Sequence, residues 1–149
     1  MKVALVGSSG GHLAQLHRLR EWWERHDRLW VTFGTPDAVS LLRGERVVWA
    51  HHPTTRNLPN ALRNLLLAWR TLRRDRPDVV ISTGAGVAVP FFVAARALGI
   101  RTVFVEVYDR IDSRTLTGRL CRPLADLFCV QWEEQLRLYP GSELIGALL

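Results

Sequence analysis

An α/β fold, built as a parallel sheet with helices on both faces, is predicted by three features of the sequence. Short apolar runs rich in β-branched residues alternate with helical stretches, most of ten or more residues. These runs are continuous rather than alternating apolar and polar, as strands covered on both faces require. Glycine-rich turns follow the first and fourth runs, on the edge where right-handed strand–helix–strand units gather their ligand-facing loops. The chain has 149 residues, 48% of them hydrophobic and 23% charged. That composition and length suit a single folded domain over residues 1–149.

Each element follows in order along the chain. Lys2–Val6 is the first strand, and Gly7–Gly11 is a turn that neither strand nor helix tolerates. Leu13, Leu16, Leu19 and Trp23 then fall near one face of a helix. Leu29–Phe33 is the second strand, and Gly34-Thr35-Pro36-Asp37 turns into a short helix ending near Leu42. Val47–Ala50 is the third strand. Asn57–Arg74 is a long helix with Pro59 in its first turn, where a missing N–H costs nothing. Val79–Ser82 is the fourth strand, followed by Thr83-Gly84-Ala85-Gly86 and a helix that stops at Gly99. Thr102–Val107 is the fifth strand, Leu116–Leu124 is weakly helical, and Leu127–Val130 is the sixth strand. Leu144–Leu149 is apolar, unusual for a free tail.

Charge and cysteine usage narrow the function classes. The formal net charge is +6, and all but Lys2 of the 20 basic residues are arginine. An arginine excess suits phosphate partners, because the planar guanidinium grips phosphate oxygens in pairs; genomic base composition accounts for it equally well. Cys121 and Cys129 form neither a metal spacing nor a disulfide framework. With no secretory signal in Met1–Val6, they indicate a reducing cytosol. The longest apolar region, Gly84–Leu98, is interrupted by Pro90 and Arg96, so any membrane contact is expected to be peripheral. No metal and no cofactor is expected, and nucleic acid is not among the expected partners.

Four clusters carry candidate chemistry. The first is Gly7-Ser8-Ser9-Gly10-Gly11-His12. Glycines permit close backbone approach, and the helix start beyond them offers unpaired N–H groups to a phosphate or diphosphate. The glycine spacing is not that of a dinucleotide loop, and Gly34-Thr35-Pro36 occupies the place of the usual ribose-binding acid. Without a ligand role, this loop is a tight strand–helix turn and His12 a capping residue; with one, His12 is a general base. The second cluster, Ser82-Thr83-Gly84-Ala85-Gly86, repeats the logic at another strand end, and Gly10, Gly11, Thr83, Gly84 and Gly86 together form a candidate anion cradle. The third is Glu106 at the end of the fifth strand, with Asp109, Arg110, Asp112, Ser113 and Arg114 beyond it. A carboxylate there can orient a sugar hydroxyl or take a proton, and Arg110 with Ser113 can bind phosphate; the plainer alternative is a salt-bridged surface loop. The fourth is the helix bearing Leu58, Leu62, Leu65, Leu66, Trp69 and Leu72 on one broad face, with Leu67 apart and Arg63, Arg70 and Arg74 in a stripe beside it. Leu62, Arg63, Leu66, Trp69, Arg70 and Arg74 are candidate contacts to an anionic bilayer; the alternative is that the apolar face packs wholly on the sheet.

The order of these motifs resembles a known family. Gly7–Leu13 resembles the first glycine loop in the acceptor-binding half of GT-B glycosyltransferases. Ala61–Pro90 resembles the basic helix, strand and second glycine loop of the peptidoglycan lipid II N-acetylglucosaminyltransferase. Glu106 through Arg110, Ser113, Thr117–Leu120, Ala125-Asp126, Val130–Glu133 and Tyr139-Pro140 to Gly146 is similar to the oligosaccharide biosynthesis protein of asparagine-linked glycosylation, and closer still to its bacterial capsule and exopolysaccharide counterparts.

The resemblance implies a Rossmann-like domain equivalent to the N-terminal half of a GT-B glycosyltransferase. It implies that this chain binds a polyprenyl-diphosphate sugar, that a separate chain binds the UDP-sugar, and that the pair works peripherally at the cytoplasmic face of the membrane as a hexosyl- or glucuronosyltransferase. His12 and Glu106 are then expected near the reacting hydroxyl. The eukaryotic counterpart carries an N-terminal membrane anchor, whereas this sequence opens at its first strand. Two other readings remain: a non-catalytic recruiter of the partner, and a nucleotide-binding oxidoreductase domain, which the missing ribose-binding acid disfavours.

Overall fold

The computed structural model describes residues 1–148. The sheet has seven strands: β1 (Lys2–Gly7), β2 (Asp27–Thr32), β3 (Val47–Trp49), β4 (Val79–Gly84), β5 (Arg101–Val105), β6 (Leu127–Val130) and β7 (Glu143–Leu144). All pairings are parallel, in the order β3-β2-β1-β4-β5-β6-β7. Six of the strands lie where the apolar runs predict them. The helices are α1 (Gly11–Arg18), α2 (Arg20–Trp23), α3 (Pro36–Leu41), α4 (Leu58–Asp75), α5 (Ala88–Ala97), α6 (Leu116–Cys121) and α7 (Glu133–Leu138).

The sheet buries both faces. Val3, Leu5, Val79 and Ile81 join Leu13, Leu16 and Trp23 on one side, while Ala4, Val6, Val80 and Phe104 join Ala68, Phe91 and Phe92 on the other. The strand order reverses between β1 and β4, so a crevice opens at their carboxyl ends. The β4 loop and the chain after β1 approach closely there: a Cβ on Gly7 would lie 3.1 Å from Leu16 Cδ1 and 3.3 Å from Thr83 Oγ1.

Four elements differ from the sequence prediction. The single helix expected through Trp23 breaks at Leu19. The carbonyl of Leu16 accepts from both Leu19 N (3.1 Å) and the Trp23 indole (3.2 Å), which tightens the turn between α1 and α2. The weak helix at 116–124 divides into α6 and a 3₁₀ turn at Arg122–Leu124. Beyond Val130, α7 and β7 were not predicted, and the apolar tail contributes Leu144 to β7; its last residue, Leu149, lies outside the described residues.

The orientation of α4 also departs from the simple amphipathic picture. Its core-facing side consists of Asn60, Asn64, Ala68, Thr71 and Leu72. Asn64 is fully buried because its amide bonds both the N–H (2.8 Å) and the carbonyl (2.9 Å) of His51, and Asn60 donates to Pro53 O at 2.8 Å. Leu67, placed apart by the helical wheel, packs against the core instead. Leu58, Leu62, Leu66 and Trp69 are left in solvent, with Leu58 at 71% and Leu62 at 60% exposure. The alternative of an apolar face wholly buried against the sheet therefore does not hold.

Candidate functional site

A cleft of about 460 Å³ opens at the carboxyl ends of β1, β4 and β5. It brings together His12, Thr83, Gly84, Gly86, Glu106 and Arg110 from three separate motifs.

His12 stands in the first turn of α1 and is locked by a reciprocal pair of bonds across the strand-order reversal. Its Nδ1 lies 2.8 Å from the carbonyl of Thr83, and the Thr83 hydroxyl donates to the carbonyl of His12 at 2.7 Å. A carbonyl only accepts, so Nδ1 carries the hydrogen and the neutral ring keeps its lone pair on Nε2. Gly84 makes room for this ring: it sits at φ +115°, and a Cβ there would lie 3.2 Å from His12 Cε1. The loop continues through Ala85 at φ 64° to Gly86, whose missing side chain admits Thr54; an added Cβ would meet Thr54 at 2.9 Å. No side chain caps the start of α5 beyond it, which leaves the positive end of that helix on the loop.

Glu106 follows β5 and is 1% exposed. It reaches the wall of the cleft, but its carboxylate is already engaged. The Tyr139 hydroxyl and Thr115 Oγ1 (2.9 Å) donate to Oε2, and Val107 N donates to Oε1 at 3.0 Å. Burial, and then the bond to Glu106, push the Tyr139 phenol well above its ordinary range. Thr115 also accepts from Gly118 N at 2.9 Å and so caps α6. Gly118 is where the cluster closes: an added Cβ would lie 2.5 Å from Glu106 Oε2 and 2.8 Å from Thr115 Oγ1.

Gln135, fully buried on α7, fastens the other side of the same loop. Its Nε2 donates to Val107 O (2.7 Å) and Arg110 O (3.0 Å), and its Oε1 accepts from Gln131 N and Trp132 N. Gln131 in turn donates to Glu106 O (2.9 Å) and Gln15 Oε1 (2.6 Å). The exposed Arg110 guanidinium, which donates to Ser113 Oγ at 3.2 Å, thus projects from a loop tied at its base.

Gly10 and Gly11 are not among the residues lining the cleft. Gly10 N donates to Asp37 Oδ2 at 3.0 Å, so this end of the first loop is held by α3, away from the second loop. Ser113 reaches the site only through Arg110. Thr54, Thr55 and Arg56 line the cleft from the segment between β3 and α4, and Asp109 after β5 and Thr117 on α6 line it too. Among the described residues no His, Cys, Asp and Glu cluster has the makings of a metal site, and no helix is long and apolar enough to cross a membrane.

Residues 48–148 match the family model described as oligosaccharide biosynthesis protein Alg14 like. The chain belongs to this family. It is 32% identical over 180 aligned residues to the human UDP-N-acetylglucosamine transferase subunit ALG14, covering 100% of this chain and 83% of that one. It is also 31% identical to the UDP-N-acetylglucosamine–N-acetylmuramyl-(pentapeptide) pyrophosphoryl-undecaprenol N-acetylglucosamine transferase of Tolumonas auensis, covering 97% of this chain but 43% of that one. Among solved structures, MurG from Acinetobacter baumannii superposes with a TM-score of 0.74 at 21% identity, over 97% of this chain and 44% of that one. UDP-GlcNAc 2-epimerase from Neisseria meningitidis superposes with a TM-score of 0.73 at 15% identity, over 92% and 42%. The chain thus spans under half of these longer proteins. The Rossmann-like fold of the GT-B N-terminal half, expected from the sequence, is the observed fold.

Within this Alg14-like chain, sequence reasoning gave no role to Thr115 or Gln135, nor to Gln131 and Tyr139, which lie in stretches that carry the resemblance. Polar residues so close to an apolar strand end were the available signal, in Gln131 directly after Val130. Their partners lie up to 33 residues away for Tyr139 and 116 for Gln131, so no local pattern joins them.

Proposed function

We infer that this chain is the acceptor-binding subunit of a two-chain glycosyltransferase. Its partner supplies the UDP-sugar, and its acceptor is a polyprenyl-diphosphate-linked sugar. The observation that carries this reading is the oriented imidazole. The Nε2 of His12, left free by the Nδ1 bond to Thr83, lines the same cleft as a glycine loop and the cations Arg56 and Arg110. A diphosphate lies against Thr83, Gly84 and Gly86, where the α5 start and Arg110 offset its charge. Its sugar then presents a hydroxyl to His12. That oxygen attacks the anomeric carbon of the UDP-sugar, its proton passes to Nε2, and the bond from the anomeric carbon to UDP breaks with UDP departing on the partner chain.

Glu106 has a different part from the one its position in the sequence suggests. Its oxygens accept from Tyr139, Thr115 and Val107, so it acts as a positioning residue that holds the 107–115 loop rather than as a second base. The exposed row Leu58, Leu62, Leu66 and Trp69, with Arg63, Arg70 and Arg74 alongside, supports peripheral contact with an anionic membrane, where each arginine contributes about 1 kcal/mol. The resemblance of residues 106–146 to capsule and exopolysaccharide counterparts supports that kind of pathway as the setting.

Reconstitution tests this reading. The purified chain is mixed with a candidate UDP-sugar-binding chain, and transfer to a short polyprenyl-diphosphate sugar is followed. Transfer by the pair and none by either chain alone is expected. Transfer by this chain alone overturns it.

A further inference from the structure

A second depression leaves the cleft on its apolar side. This groove, of about 300 Å³, runs between α4, α5 and α6 and is lined by Leu62, Leu65, Val89, Val93 and Leu120 among others, with no ionisable side chain. It is continuous with the polar cleft, because Thr54, Gly86, Leu116 and Thr117 line both. Its walls are unusually open to solvent for such side chains: Leu116 is 69% exposed, Leu120 48% and Val93 41%. Contiguous exposed apolar surface of this kind marks a binding surface rather than a solvated exterior.

We propose that the groove receives the first isoprenoid units of the acceptor's lipid chain, while the diphosphate sits at the Gly84–Gly86 loop. The proposal rests on the acceptor reading above. Two features select this occupant. Arg56 and Arg110 line the cleft, whereas the groove has no ionisable side chain and is mostly aliphatic, which matches an amphiphile with an anionic head and a hydrocarbon tail. Leu62 also belongs both to the groove and to the exposed row on α4, so a tail leaving the groove emerges at the face proposed to meet the bilayer.

Titration calorimetry on the full chain tests this with inorganic diphosphate and geranyl diphosphate, both soluble without a membrane. Each buried methylene contributes about fourfold in affinity, so geranyl diphosphate should bind at least about tenfold more tightly. In Val93→Asn/Leu120→Asn, which alters exposed groove positions without adding charge, this gain should vanish while affinity for inorganic diphosphate stays. Equal affinities in the wild type, no binding of geranyl diphosphate, or a gain the variant keeps would each overturn the proposal and leave the groove to the bilayer or the partner chain. The wild-type comparison decides even if the variant unfolds. The two readings fail separately: binding of inorganic diphosphate with no geranyl gain removes the groove alone. A groove-dependent gain without any binding of inorganic diphosphate removes the diphosphate cradle alone.

Discussion

Replacing Gly118 by alanine sets two effects against each other, and the geometry decides between them. In a helix, alanine is favoured over glycine by about 1 kcal/mol. Against that, the new methyl would lie 2.5 Å from Glu106 Oε2 and 2.8 Å from Thr115 Oγ1, and closer still to the Tyr139 hydroxyl. Neither Glu106 nor Tyr139 has free space to retreat into, at 1% and 2% exposure. Overpacking of this kind costs about 1–3 kcal/mol, and loss of one hydrogen bond to a charged group costs a further 1.5–3 or so. The net expectation is a destabilisation of about 3 kcal/mol. At this chain length that lowers the melting temperature by roughly 6–12 °C. Scanning calorimetry on Gly118→Ala measures it directly. In a Tyr139→Phe background the nearest clash is gone, so the penalty of the same substitution should shrink. A melting temperature that stays level or rises would refute the packing argument and show that helix propensity prevails.

Three further outcomes are expected. Arg28 holds the Glu45 carboxyl below its ordinary range through bonds of 2.7 and 2.8 Å, so this pair stabilises the fold above the unfolded carboxyl's titration near pH 4.5 or so and is lost as pH falls through the lower folded value; urea midpoints at pH 7 and pH 3 should differ less in Glu45→Gln than in wild type, and an unchanged difference would count against the pair. Burial, and then the Glu106 charge, push the Cys121 thiol up to about 12, and burial pushes Cys129 up to about 11; iodoacetamide at pH 8 should therefore label neither in the folded protein and both in urea, whereas rapid native labelling would contradict the packing. Reversing Arg63, Arg70 and Arg74 to glutamate should abolish flotation with anionic vesicles at low salt while leaving circular dichroism unchanged, and equal flotation would remove α4 from the membrane contact.

The strands were legible because each central one is buried on both faces and so is a continuous apolar run. The two elements that escaped prediction lack that signature: β7 is only Glu143–Leu144, and α7 turns the polar Gln135 inward. On α4 the periodicity was plain but its direction was not. Apolar residues normally mark the buried side, whereas here Asn60 and Asn64 go inward because the backbone of the loop at 51–53 satisfies their amides. At the site, glycine loops and His12 stood out because their roles depend on local chain geometry. The restraints on Glu106 did not, since Thr115 and Tyr139 reach it only through the fold.

The most direct measurement is the turnover of His12→Ala in the reconstituted pair, with folding verified by calorimetry. Nδ1 is held by Thr83 O, and the proposed function has the free Nε2 take the proton of the attacking hydroxyl. A positioned base contributes about 10²–10⁴-fold, so turnover should fall by that factor while the melting temperature changes little. Turnover within a few-fold of wild type, with the variant folded, would contradict the central claim and leave the chain as a recruiter whose partner carries out the chemistry.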